Sequence, residues 1–208
     1  MDKGFYLVAT PDRFEDLQKF IKSLRKHHKE PIQVMVALDK VQAHEFKTMC
    51  GLLTNFDKTI MMDIDIMVLQ NFGEVFDFLK TYDICLHDEI KWGTYNSGFI
   101  AFNKSFMREV SKLWHENYKK RNFEQRPNWK GIFEQDLLTD ILKRRNEIKI
   151  SKHQIFNLSK FYNYCIYRYT AEEEIEDWDH IKVLHFWTGS SNTPDLKRKS
   201  WKLWEGEK

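Results

Sequence analysis

The sequence predicts an α/β protein whose central sheet is mostly parallel and is flanked by helices. Apolar runs of strand length alternate with amphipathic stretches of helix length along the chain. The first three of these segments have the order strand, helix, strand, which is typical of a parallel βαβ unit. At 208 residues the chain can bury one sizeable core, and no linker rich in Pro, Gly or Ser divides it. We therefore expect residues 1–208 to form a single domain.

The first βαβ unit begins near the amino terminus. The apolar run at residues 4–9 predicts a buried strand, and Asp12 is placed to cap the helix that follows. A second buried strand is predicted at residues 32–38. One face of the intervening helix carries apolar residues at helical spacing, namely Phe14, Leu17, Ile21 and Leu24.

The same alternation continues along the rest of the chain. A helix is predicted at residues 41–53, and the apolar run at residues 58–62 predicts the third strand. The later elements are predicted in the order helix 73–79, strand 84–86, a segment at residues 95–102 that begins polar and ends as an apolar strand, helices 106–114 and 135–144, and strand 183–186.

Composition and charge exclude several classes of protein. Hydrophobic residues make up 42% and charged residues 31%, and every apolar run is too short to span a bilayer. A net charge of +2, without a basic stripe interleaved with aromatic residues, is not typical of nucleic-acid binding. We expect a cytoplasmic protein, because the amino terminus does not resemble a signal peptide and three widely spaced cysteines fit reduced thiols: Cys50, Cys85 and Cys165.

An acidic pair follows the third predicted strand. Asp63 and Asp65 are two residues apart, so in an extended segment their side chains would point to the same face. In open α/β sheets, ligands collect at the carboxyl ends of the strands, where this pair is expected. Two carboxylates this close repel each other unless a cation offsets their charge. The pair therefore predicts a divalent metal site that could hold a phosphate.

Four further polar blocks follow the acidic pair in a fixed order. They are Asn96-Ser97-Gly98 before a strand, Glu134-Gln135-Asp136 at the start of a helix, Asn157-Leu158-Ser159, and the segment from His185 to Gly189. The five blocks together resemble the glycogenin-like (family 8) nucleotide-sugar transferases, which have the Rossmann-like GT-A glycosyltransferase fold. The resemblance extends from the first strand to about residue 190.

The resemblance implies a metal-bound nucleotide-sugar donor, with a UDP-sugar favoured. Asp63, Asp65 and His185 match the metal-ligand positions of the family, and such oxygen and imidazole ligands suit Mn²⁺, or alternatively Mg²⁺. Glu134, Gln135 and Asp136 match the positions that hold the sugar and are the expected catalytic residues. The expected donor-binding residues are Ala9, Thr10, Asp63, Ile64, Asp65, Asn96, Ser97, Gln135, His185, Gly189 and Ser190.

The resemblance also divides the domain into a donor half at about residues 1–102 and an acceptor half at about residues 103–208. The acceptor is expected to be a carbohydrate or another hydroxyl compound, with Trp92 and Tyr95 as its candidate contacts. The chain is short between the second strand and Asp63, which fits either a more open donor site or one domain of a longer polypeptide.

Two positions bear on how the diphosphate is held. Lys47 is the most plausible cation to face the donor in the short segment before Asp63. The family usually has a lysine where this chain has Asn192, so Lys197 or Arg198 is the candidate replacement.

Several alternatives stay open at the level of the sequence. Retention is favoured by resemblance, whereas an inverting enzyme would need a carboxylate base, for which Asp136 is the first candidate and Asp88 or Glu89 the second. A phosphatase or phosphotransferase with an aspartate nucleophile also carries Asp-x-Asp, but normally after its first strand. A non-catalytic module that binds nucleotide sugars would keep the same residues.

Overall fold

Two β-sheets organise the part of the chain that a computed structural model describes, residues 1–89, 93–120, 133–144, 154–165 and 178–186. In chain order the elements are β1 (Lys3–Ala9), α1 (Phe14–Arg25), β2 (Ile32–Val36), α2 (Lys40–Thr48), α3 (Cys50–Leu53), β3 (Lys58–Met62), β4 (Ile66–Val68), α4 (Glu74–Phe78), β5 (Ile84–Glu89), β6 (Thr94–Asn103), α5 (Lys104–Lys120), α6 (Phe133–Lys143), β7 (Ile155–Asn157), β8 (Tyr164–Cys165) and β9 (Val183–His185).

The large sheet has six strands in the order β2-β1-β3-β6-β5-β7. Strand β1 pairs in parallel with both β2 and β3, and β5 pairs in parallel with β7. Strand β6 is antiparallel to its neighbours β3 and β5. The predicted βαβ unit and the mostly parallel sheet are therefore confirmed. Because β1 and β3 are parallel neighbours, Thr10 and Asp63 leave the sheet at the same edge.

Alternating side chains of the strands build a core on each face of the large sheet. In β3, Ile60 and Met62 join one buried cluster, whereas Met61 joins the other. Helices α1 and α4 cover the first cluster, and α5 and α6 cover the second. The sheet is thus flanked by helices on both faces, as predicted.

The small sheet has three strands in the order β4-β9-β8. Strand β9 pairs antiparallel with β4, where His185 lies opposite Ile66, and in parallel with β8, where His185 lies opposite Cys165. A separate apolar cluster supports this sheet: Met67, Tyr164, Ile181, Leu184 and Phe186. The pairing brings His185, from the end of the described chain, beside the residues that follow β3.

The predicted start of the first helix is wrong in one detail. Asp12 does not cap α1, because it lies inside a 3-10 turn formed by Pro11–Arg13. Helix α1 begins directly after this turn, at Phe14, and the side chain of its N-cap Arg13 makes no capping hydrogen bond but donates to the Asp16 carboxylate at 2.7 Å. The fixed backbone angle of proline suits the first position of a helical turn, so the turn starts at Pro11.

Two other predicted elements differ from the structure. The second strand ends at Val36 and is half-buried, because β2 forms the edge of the sheet, and Leu38 is 82% exposed. The predicted helix 41–53 is two helices that meet at Met49. There Gly51 lies so close to α5 that a Cβ would be 2.4 Å from the Met107 backbone.

Buried polar and sulfur-containing side chains add to the core. Cys50, Cys85 and Cys165 are buried reduced thiols. His28 is also buried, and its ring lies 4.0 Å from that of Phe72. A helix that combines the length and the apolar character needed to cross a bilayer is not found in the described ranges.

Candidate active site

The acidic pair lies in a bend between β3 and β4. The predicted extended geometry of residues 63–65 is wrong, because β3 ends at Met62 and the chain turns there into the small sheet. The Asp63 N–H donates to the Gly98 carbonyl oxygen, 2.9 Å away in the large sheet. The Asp65 carbonyl oxygen accepts from the Phe186 N–H, 2.8 Å away beside the small sheet. Each aspartate is therefore held by a different sheet.

The side chains of the two aspartates converge with His185. One ligand atom from each of these residues lies within 4.8 Å of the other two. The Nε2 atom of His185 is 3.4 Å from Asp65 Oδ1 and 3.8 Å from Asp63 Oδ2. Two carboxylates and an imidazole at these separations fit a hard or borderline divalent cation. The fold thus brings together the three residues that the sequence suggested as metal ligands.

Gly98 leaves the room in which this cluster forms. A Cβ atom at this position would lie 2.3 Å from His185 Cε1 and 3.0 Å from Asp63 Oδ2. Any side chain there would push the imidazole away from the aspartates. The block 96–98 lies inside β6, although the sequence placed it before a strand. The need for glycine arises from the packing of β6 against His185.

Lys47 provides a fixed positive charge next to the acidic pair. Its buried Nζ lies 2.8 Å from Asp63 Oδ1 and 3.4 Å from Glu134 Oε1. Burial lowers the pKa of the Lys47 ammonium, but the charges of Asp63 and Glu134 outweigh burial and raise it above its ordinary value. The cation that the sequence singled out is therefore bound to two acids of the site.

Two acids of the site, Asp65 and Glu134, are held in their charged forms. Burial raises the pKa of Asp65, but the hydrogen bond and charge that a protonated His185 supplies in the absence of a metal, together with the charge of Arg13, outweigh burial and lower it. Burial likewise raises the pKa of Glu134, but the positive charges of Lys47 and His44 outweigh burial and lower it below its ordinary value. A charged carboxylate is the form that binds a metal.

A buried amide network lies beside the metal cluster and centres on Glu89. Its Oε1 accepts from Asn96 Nδ2 at 2.8 Å, and its Oε2 accepts from Gln135 Nε2 at 3.2 Å. The Oε1 atom of Gln135 accepts from the Ser97 N–H at 3.2 Å. Both amide side chains that were expected to contact the donor are therefore buried and bonded to the protein.

The other predicted site residues lie in different surroundings. Ala9 and Thr10 end β1 at the edge that also carries Asp63. The Ile64 side chain packs into the core, so its backbone is the part that could contact a ligand. Asp136 is half-buried in the first turn of α6. Six further predicted positions lie outside the described residues: Trp92, Gly189, Ser190, Asn192, Lys197 and Arg198.

Asn163 is a site residue that the sequence did not reveal. It follows a 3-10 turn, Lys160–Tyr162, and precedes β8, and its side chain is buried. Its Nδ2 lies 2.6 Å from Asn96 Oδ1, and its Oδ1 lies 3.0 Å from His185 Nδ1. The contact depends on two sheets meeting, so a local sequence pattern carries no signal for it.

Comparisons with known proteins agree on the fold. Protein-family models give no match to the sequence, and neither do curated protein sequences. Among solved structures, the glycosyltransferase GlyE of Streptococcus pneumoniae TIGR4 matches with a TM-score of 0.71 at 14% identity, over 100% of this chain and 60% of GlyE. This chain therefore spans 60% of the length of that neighbour.

Two further neighbours match over their whole length. A glycosyltransferase involved in the glycosylation of the major capsid of PBCV-1 gives a TM-score of 0.62 at 12% identity, over 98% of this chain and 100% of that one. The galactosyltransferase LgtC, solved in complex with donor and acceptor sugar analogs, gives 0.54 at 14% identity, over 100% of both chains. The chain therefore has the GT-A glycosyltransferase fold, as predicted.

Proposed function

Because the chain has the GT-A glycosyltransferase fold, we propose that it is a metal-dependent glycosyltransferase. It moves a sugar from a nucleoside diphosphate, with UDP favoured, to a hydroxyl group of a carbohydrate or another acceptor. The observation that carries this proposal is the convergence of Asp63, Asp65 and His185 within 4.8 Å, where β3 ends. Ligands of open α/β sheets bind at that edge.

The three side chains would hold Mn²⁺ or Mg²⁺ through two carboxylates and the Nε2 atom of His185. A bound divalent cation would supply Lewis acidity to the departing diphosphate. Before a metal binds, the lowered pKa of Asp65 keeps that ligand charged. Lys47 takes up part of the negative charge of Asp63, so the carboxylates can stay close together.

The donor is proposed to lie over the edge formed by β1 and β3. Ala9 and Thr10 would receive the nucleotide base there, and Asp136 at the start of α6 would face the sugar. Glu89 orients Gln135 and Asn96 beneath this site. The neighbour LgtC was solved with donor and acceptor sugar analogs, which supports a site for two substrates.

The contacts of two buried carboxylates, Glu89 and Glu134, support the proposed retention of the anomeric configuration. Glu89 accepts hydrogen bonds from two amides, and Glu134 is paired with Lys47 in the protein interior. Neither carboxylate is placed to take a proton from an acceptor. This supports transfer in which the departing phosphate accepts that proton, with Asp136 as the carboxylate that an inverting reaction would use.

The metal role is tested by calorimetric titration of UDP with and without Mn²⁺. Replacing Asp65 by Asn removes a charged ligand, so we expect the Mn²⁺-dependent part of UDP affinity to fall by more than about 100-fold, beyond the usual effect of indirect ligand contacts. The matched control is Asp57→Asn, because Asp57 is exposed at the opposite end of β3. Equal UDP affinity in wild type and Asp65→Asn would overturn the metal role.

Turnover separates an enzyme from a binding module. We expect the wild type to release UDP from at least one member of a panel of UDP-hexoses when Mn²⁺ and carbohydrate acceptors are present. Tight Mn²⁺-dependent UDP binding without turnover of any donor would favour the non-catalytic module. Release of inorganic phosphate from simple phosphate esters would favour the phosphatase alternative.

A further inference from the structure

His185 has two ring nitrogens that face different surroundings. Its Nε2 faces Asp63 and Asp65, whereas its Nδ1 lies 3.0 Å from Asn163 Oδ1. A neutral imidazole carries hydrogen on one nitrogen and a lone pair on the other. The imidazole can therefore ligate a metal through Nε2 only if the hydrogen is on Nδ1. The orientation of the Asn163 amide decides which tautomer is stabilised.

The neighbouring Asn96 amide has its orientation fixed by two independent contacts. The Gly98 backbone N–H donates to Asn96 Oδ1 at 2.7 Å, and a backbone N–H can only donate. Asn96 Nδ2 donates to Glu89 Oε1 at 2.8 Å, as a carboxylate acceptor requires. Both contacts place the oxygen of Asn96 towards Gly98 and its nitrogen towards Glu89.

This orientation determines that of Asn163. The atom of Asn96 that faces Asn163 is Oδ1, an acceptor, so Asn163 presents its Nδ2 there at 2.6 Å. Asn163 Oδ1 then faces His185 Nδ1 and can only accept. The hydrogen of the neutral ring is therefore on Nδ1, and the Nε2 lone pair points towards the two aspartates.

We propose that Asn163 is a positioning residue that fixes His185 as the Nδ1–H tautomer and so presents its Nε2 for metal binding. The hydrogen-bond chain runs from His185 through Asn163 and Asn96 to Glu89, and the Glu89 carboxylate fixes its direction because it can only accept. The role in metal binding rests on the proposed function, whereas the tautomer itself does not. Asn163 is 1% exposed and would act without contacting the metal.

The first test reads the tautomer directly in the metal-free wild type. Long-range ¹H–¹⁵N correlation spectra of the histidine rings, at a pH where His185 is neutral, are expected to show its hydrogen on Nδ1. In Asn163→Ala, which lacks the acceptor, we expect a shift towards the Nε2–H form. A wild-type ring with its hydrogen on Nε2 would overturn the proposal, whether or not any variant folds.

The second test measures the affinity for Mn²⁺ alone by electron paramagnetic resonance, without nucleotide or turnover. We expect Asn163→Ala to bind Mn²⁺ about 10- to 100-fold more weakly than wild type, as is usual for residues that orient a ligand. Asn163→Asp keeps an acceptor for the Nδ1 hydrogen, so it should bind more tightly than Asn163→Ala. Equal affinity in wild type and Asn163→Ala would overturn the proposal.

The matched control is Asn103→Ala, at the opposite end of β6 from Asn96. The Asn103 side chain donates to the carbonyl oxygens of Leu79 and Tyr82, so its loss affects stability away from the site. We expect this variant to keep the wild-type Mn²⁺ affinity and tautomer.

A wild type with the Nδ1–H tautomer that does not bind Mn²⁺ would support the tautomer assignment and contradict the proposed metal function.

Discussion

The two sheets of this protein differ in how their strands are distributed along the chain. In the large sheet, β1, β2 and β3 follow one another within residues 3–62 and are joined by helices. The small sheet takes its strands from three distant segments, β4, β8 and β9. The large sheet carries Asp63 and the amide network, and the small sheet carries His185. The proposed metal site therefore exists only where the two sheets meet.

The two sheets contribute different groups to the candidate site. The large sheet is supported on both faces by helices and gives fixed positions to charged and amide groups. The small sheet has one compact apolar cluster and adds the imidazole and Asn163. Substitutions at the junction should separate the stability of the fold from the integrity of the site.

The largest effect is expected where the large sheet holds its charges, in Lys47→Met. Removal of the buried ammonium leaves Glu134 and Asp63 without their cation, which should lower the free energy of unfolding by about 3–5 kcal/mol. Denaturant unfolding at neutral pH measures this change. The control Lys112→Met breaks an exposed pair with Glu109 and should cost about 1 kcal/mol or less.

The pH dependence of the Lys47→Met variant has a definite sign. In wild type the pKa of Glu134 lies below its ordinary value, so its charge stabilises the fold at neutral pH, and this contribution is lost as the pH falls through that lowered pKa. Without Lys47, burial would raise the pKa of Glu134. Protonation of Glu134 as the pH falls would then remove its unpaired buried charge and so reduce the destabilisation of the variant. The stability difference should narrow in acid, and a difference that widens would contradict the buried ion pair.

An intermediate effect is expected at the contact between the sheets, in Gly98→Ala. The added methyl group would displace His185, so we expect a cost of about 1–3 kcal/mol in unfolding free energy and a loss of Mn²⁺ binding. The control Gly51→Ala meets the Met107 backbone in the large-sheet core. It should cost at least as much free energy, because backbone atoms cannot move aside as a side chain can, but it should leave Mn²⁺ affinity unchanged. Retention of wild-type Mn²⁺ affinity by Gly98→Ala would contradict this account.

The smallest effect is expected at the contact between the segment before β9 and α4. Glu74 pairs there with Lys182 and accepts from the Tyr162 hydroxyl at 2.8 Å. The pair is partly exposed, so Glu74→Gln should cost about 0.5–1 kcal/mol in unfolding free energy, and less at about 1 M salt. The control Tyr162→Phe removes a neutral donor and should show little salt dependence. A salt-independent loss in Glu74→Gln would argue against an ionic contact.

Five of the six strands of the large sheet could be predicted because their signals are local, whereas β7 was not predicted. The apolar run at residues 58–62 gave the bounds of β3, and the first βαβ unit followed from alternating patterns. Strands β4 and β8 contain three residues and two residues, which is too short for a recognisable period. The small sheet was therefore predicted only at its last strand.

The residues of the candidate metal cluster could be named from the sequence, but the contacts around them could not. Asp63, Asp65 and His185 were identified from ordered motifs, and the fold brings them together. The pairing of Lys47 with Glu134 was not predicted, because it joins α2 to α6 across the interior. Asn163 was missed for the same reason, since its role depends on hydrogen bonds between distant segments.

The pairing of Ile66 with His185 also bears on the order of folding. A contact between residues far apart in sequence requires the closure of a long loop. The entropy lost in that closure opposes the contact, so such contacts tend to form late. The βαβ unit of β1 and β2 involves short loops and can form early. We therefore expect the imidazole to join the two aspartates only after most of the large sheet has folded. The candidate metal site would then form in the last step of tertiary folding.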